Sequence, residues 1–132
     1  MKYEAFVGFV QERARLGSQG EAVRAIHATL ETLGERITPQ EAQDLAAQLP
    51  KEIGDYLKQG KGPQRFDLQE FFMRVGAKES EEIPEAAFHA RAVISVLVEA
   101  VTVAEMMDVI DQLPDDYRPL FDSGAEGEMD VE

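Results

Sequence analysis

The chain repeats itself. Thr38 to Pro50 aligns with Thr102 to Pro114 at six identical positions in thirteen: Thr, Glu, Asp, Gln, Leu and Pro. Ordinary amino-acid usage gives roughly one. The match extends in both directions. Tyr3, Phe6, Val7 and Val10 return as Leu68, Phe71, Phe72 and Val75 at an offset of 65. Val23, Ile26, Leu30, Leu33 and Ile37 return as Ala87, Ala90, Ile94, Leu97 and Val101 at an offset of 64. Ile53, Tyr56 and Leu57 return as Tyr117, Leu120 and Phe121. Each series has the three-and-four spacing of one helix face. Self-similarity of this kind marks a duplicated structural unit. The one-residue change of offset falls in a loop, where length changes are tolerated. The expected fold is all-α, one domain over residues 1–122 made of two tandem four-helix repeats. The first repeat covers 3–60 and the second 68–122, about eight helices in total.

Punctuation along the chain supports these units. Gly17 is expected to end the first helix. Ser18 with Glu21, Thr38 with Glu41, Asp67 with Glu70 and Thr102 with Glu105 have capping-box spacing, in which the first side chain takes an amide and the acid reaches back. Pro39 and Pro84 suit first helical positions, and Pro50 separates two short helices. Gly60-Lys61-Gly62-Pro63-Gln64 is a loop between the copies. The β-branched run Val93 to Val98 suits a strand by propensity, but its register against the first copy makes it helical.

The copies differ in one respect. The second helix of copy one has a polar side of Arg24, His27, Glu31 and Glu35, whereas its counterpart from Ala86 to Val98 is apolar nearly all round. Such a helix is expected at the centre of the molecule, packed by both copies, with Phe88 and Val98 filling space. If one side stays open, Phe88, Val93 and Val98 are the expected homodimer contact.

Composition removes several functions. With no cysteine, disulfides, thiolate catalysis and cysteine-based metal sites are excluded, and a reducing compartment is favoured. Residues 1–66 balance nine basic against nine acidic side chains, while residues 67–132 hold four basic and seventeen acidic. The whole net charge of −13 therefore sits in the second half, which repels phosphate backbones and favours a basic partner over nucleic acid. Residues 123–132 are expected to be a disordered acidic tail. The start, Met1-Lys2-Tyr3-Glu4, runs into an amphipathic stretch, so no signal peptide is expected. No apolar run exceeds three residues, as in Val96-Leu97-Val98, and no membrane span is expected.

Candidate chemistry is sparse. His27 and His89 are the two histidines. Glu85 precedes His89 by one helical turn, a spacing that suits a metal or a proton relay, with Arg91 nearby. Surface contact is the plainer account of this pair. Ser18 and Ser80 precede helices, where capping is expected. Gly60-Lys61-Gly62 lacks the spacing of a phosphate loop. Lys58, Lys61 and Arg65 make a small basic cluster there. Asp108, Asp111, Asp115 and Asp116 form an acidic string without the glycine of a calcium loop, and a solvated face is the simpler account. No catalytic set, cofactor motif or metal set emerges. A non-catalytic protein-interaction module is the favoured function. The alternative is a small ligand- or metal-binding protein or enzyme using Glu85, His89, Arg91 and surface carboxylates.

Leu45-Ala46-Ala47-Gln48-Leu49-Pro50, Phe66-Asp67-Leu68-Gln69-Glu70-Phe71-Phe72-Met73-Arg74-Val75 and Gln112-Leu113-Pro114 resemble a bacterial two-repeat helical family, domain of unknown function 2267. The resemblance spans all but the last ten residues. It implies an α-helical fold in a bacterial cytoplasm and brings no catalytic residues with it.

Overall fold

The computed structural model describes residues 1–121, and the regular secondary structure among them is all helical, with no strand. Seven α-helices run in order: α1 Tyr3–Arg13, α2 Gln19–Arg36, α3 Pro39–Ala46, α4 Lys51–Gln59, α5 Leu68–Glu79, α6 Ile83–Ala100 and α7 Val103–Asp111. A 3-10 turn at Asp115–Tyr117 follows, and residues 118–121 continue as helix. The proposed acidic tail lies outside the described residues.

The two eighteen-residue helices organise the molecule. α2 packs on α1, α4, α5 and α6, and α6 packs on α1, α2 and α5. Both are therefore lined by elements from both halves of the chain. Their apolar stripes, with Phe6 and Val10 of α1, Leu57 of α4 and Phe71 and Val75 of α5, make one continuous core. Val93, Ile94, Val96 and Leu97 are fully buried within α6, so the β-branched run is helical. The contacts it makes with α2 and α5 outweigh its strand propensity. Leu49 and Leu113 both pack, half-buried, against the core. Tyr117 is buried edge-on against Phe71, and its hydroxyl donates to the Phe66 carbonyl at 2.7 Å.

Four details depart from the sequence expectations. The first helix stops at Arg13, before Gly17, because Arg15 turns the backbone left-handed (φ 56°). Ser80 is not an N-cap; it ends α5 in the left-handed region (φ 61°), and Glu82, at the N-cap of α6, makes no side-chain cap. α6 does not surpass α2 in burial, since nine residues of each are buried. Phe88 and Val98 do not fill interior space, being 42% and 41% exposed.

Val98 shows why the halves are not identical. At the matching position of α2 stands Gly34, where an added Cβ would lie 2.1 Å from the Leu57 carbonyl oxygen. The missing side chain lets α4 close onto α2. The α2–α5 seam adds a polar cluster beside its apolar contacts. Glu35 accepts from Arg74 at 3.0 Å and from Lys78 at 3.1 Å, and Arg74 lies 3.8 Å over the Phe66 ring.

Candidate functional site

α3 and α7 pack against each other, the start of each meeting the residues that follow the end of the other. Thr38 Oγ1 accepts the Glu41 amide at 3.1 Å, and Thr102 Oγ1 accepts the Glu105 amide at 3.2 Å. Half of each capping box is thus formed. The other half is supplied in exchange by the opposite helix. Gln112 Oε1 takes the Thr38 backbone N–H at 3.0 Å, and Gln48 Oε1 takes that of Thr102 at 2.9 Å. The two glutamines also donate to the threonine hydroxyls, at 3.4 Å for Gln112 to Thr38 and 3.5 Å for Gln48 to Thr102. The expected reach-back of Glu41 and Glu105 therefore does not occur, since those amides are already taken.

Released from capping, the two acids turn toward each other. Glu41 and Glu105 are each only 9% exposed and stand within hydrogen-bonding reach of one another. Gln112 Nε2 approaches Glu41 Oε1 at 3.4 Å. Among the described residues, no amide, hydroxyl or cationic donor reaches the buried Oε2 atoms of Glu41 and Glu105. Asp108 joins them, and one carboxylate oxygen of each of the three lies within 4.8 Å of the others. Burial pushes the Glu41 carboxyl up to about 7, helped by the contact with Glu105 and by the negative charges of Glu105, Asp108 and Asp44. Such a group can hold a proton at neutral pH or have its charge neutralised by a cation. Sequence reasoning assigned Asp108 to a solvated face and the two glutamates to capping. The signal it held was that Thr, Glu, Asp and Gln, the polar identities of the repeat, all meet here.

The histidine candidates are arranged differently from the spacing argument. His89 is buried, and its Nδ1 lies 2.9 Å from Oε2 of Glu79 at the end of α5. Burial raises the Glu79 pKa, against the opposing pull of His89 and Arg24. Glu85 is exposed and is not the partner. Arg91 lies 5.4 Å over the Phe72 ring. No Glu85–His89–Arg91 pocket results. His27 stacks on Tyr56 and contacts Gln59 Oε1 at 2.7 Å.

The expected interface residues separate. Val93 is in the core, while Phe88 and Val98 share the outward face of α6 with half-buried Arg91 and Ser95. A more open apolar stripe lies on α7: Val103 is 76% exposed, Met107 58%, and Ile110 is also exposed. These recur at i, i+4 and i+7, one face of the helix. Asp108 and Asp111 flank them and are exposed. Ile110 continues into a hollow of about 480 Å³ lined by Leu113, Pro114, Tyr117, Arg118 and Phe121. Asp116, from the acidic string, accepts the Leu68 amide at 2.9 Å.

Residues 3–120 match the family described as "Uncharacterized conserved protein (DUF2267)", and the chain belongs to that family. No curated protein matches it. No helix among the described residues is long and apolar enough to cross a membrane.

Proposed function

We propose that this family member is a non-catalytic interaction module, built from a duplicated four-helix unit, that receives a basic amphipathic helix on α7. The observation that carries the proposal is the stripe of Val103, Met107 and Ile110, exposed and flanked by Asp108 and Asp111. A partner helix can seat apolar anchors on such a stripe, with hydrophobic side chains at matching spacing. The acids on its rim, and the net charge of −13, favour lysine and arginine on that helix and speed its approach. The same charge argues against nucleic acid. The reciprocal Thr–Gln contacts support the duplication, and a cysteine-free chain suits a reducing compartment such as the bacterial cytoplasm.

Two model helical peptides of equal hydrophobicity test this proposal, one rich in lysine and one rich in glutamate. Titrated by calorimetry, the basic peptide should bind, should weaken as salt rises, and should lose binding to Met107→Glu. Equal binding of both peptides, or binding indifferent to Met107→Glu, would overturn the proposal.

A further inference from the structure

We infer that Glu41, Glu105 and Asp108 form a site for a hard divalent cation of the calcium class, held at the seam between α3 and α7. Its three ligand oxygens lie within 4.8 Å of one another. Calcium binds oxygen at about 2.3–2.6 Å, so oxygens on opposite sides of one ion stand roughly 4.6–5.2 Å apart. A single ion therefore reaches all three carboxylates with little movement of the backbone.

The second observation is independent of the acidity. Oε2 of Glu41 and Oε2 of Glu105 are buried and take no hydrogen bond from an amide, hydroxyl or cationic donor among the described residues, although both residues are about nine-tenths out of water. Leaving such atoms bare costs stability, which is why buried polar atoms are nearly always partnered. Folding does not need these charges. The amides at Thr38 and Thr102 are satisfied by Gln112 and Gln48, and the threonines cap the helices. None of the ion pairs formed among the described residues involves Glu41, Glu105 or Asp108. No cationic side chain among the described residues therefore offsets the local charge, and a divalent cation would do so.

The donor chemistry narrows the ion. All three donors are carboxylate oxygens, with no imidazole or thiolate, a set that suits calcium, magnesium or manganese over zinc or copper. Asp108 is exposed, which gives the ion an entrance and leaves room for water to complete its shell. Two acids on a rigid pair of helix starts and one at the surface suit the irregular coordination of calcium better than the strict octahedron of magnesium. An ion here would bridge the two halves of the chain and tie α7, which carries the apolar stripe, to α3.

The test uses full-length protein stripped with a chelator, titrated with calcium, magnesium and manganese chlorides near pH 7.5. Calorimetry should show one saturable site per chain, tighter for calcium than for magnesium, and calcium should raise the melting temperature. Glu41→Gln and Glu105→Gln should abolish the isotherm while the protein stays folded, because glutamine has the same shape. Asp108→Asn, at an exposed position, should weaken binding without touching the core. Glu12→Gln, on distant α1, should bind as wild type does. Binding left unchanged by the first two variants would place the ions elsewhere on the acidic surface and overturn the site. So would the absence of any binding at millimolar cation, with Glu41→Gln raising the melting temperature, because the two glutamates would then be sharing a proton.

Discussion

Gln48 accepts the backbone N–H of Thr102 at 2.9 Å, and so occupies the place that Glu105 would fill in its own capping box. The matching exchange, Gln112 to Thr38 at 3.0 Å, ties the end of α7 to the start of α3. Each helix is thus capped by its own threonine and by the other helix's glutamine. This double tie holds α3 against α7.

The caps can be measured directly. Thr38→Ala and Thr102→Ala should each cost about 1 kcal/mol in chemical denaturation. Gln112→Ala should cost a similar amount, since it strands a backbone amide. Changes within error for all three would mean that the exchange contributes nothing.

Stability should fall as pH rises through neutrality. The Glu41 carboxyl titrates near 7 in the folded protein, above its ordinary value of 4.5. The folded state then holds more protons than the unfolded state between those two values. Its contribution is fully present below about 4.5 and is lost as pH climbs through about 7. The groups facing it, Glu105, Asp108 and Asp44, are all acidic and push the same way. The melting temperature of wild type should drop from pH 5 to pH 8 more steeply than that of Glu41→Gln. Parallel curves would refute the assignment.

The helical class was legible because apolar spacing is a property of the sequence itself. Ile26, Leu30, Ile94 and Leu97 could be placed in a core without knowing their neighbours. The site was not legible, because Glu41 and Glu105 look like ordinary capping acids until Gln48 and Gln112 arrive from the other helix. That arrival is a long-range contact, and no local spacing encodes it. His89 illustrates the same limit. The helical rule pointed to Glu85, four residues back, whereas Glu79 reaches it across the α5–α6 turn. Phe88 and Val98 were misplaced for a simpler reason. A helix with apolar residues on every side still has an outward face when nothing covers it.

The buried pair of Glu79 and His89 should matter for stability and not for catalysis. Removing His89 leaves a buried carboxylate without its partner, a loss typically of about 3–5 kcal/mol. His89→Ala should therefore be strongly destabilised at pH 8. Burial raises the Glu79 pKa, and His89 and Arg24 oppose that rise. Without His89 the carboxyl should hold its proton more readily, so the deficit should shrink toward pH 5. A deficit that does not vary with pH would show that lost packing, and not stranded charge, is the cause.

The outward face of α6 decides whether a second copy docks there. Phe88 and Val98 stand on that face with Arg91 and Ser95 between them, and Arg13 reaches across from α1 to Ser95 at 3.0 Å and to Glu99 at 2.8 Å. The apolar positions are therefore interrupted by polar contacts. Because Val98 is exposed, Val98→Glu buries no charge, and the change should stay within about 0.5 kcal/mol, as for ordinary surface substitutions. The fully buried neighbour Leu97 is the contrast, and Leu97→Ala should cost about 2–5 kcal/mol. Sedimentation of wild type and Val98→Glu completes the test. A folded variant that sediments more slowly than wild type would place a second copy against Phe88 and Val98. Equal sedimentation with unchanged stability would leave α7 as the exposed apolar surface available to a partner. A variant that unfolds would contradict the placement of Val98 on the surface.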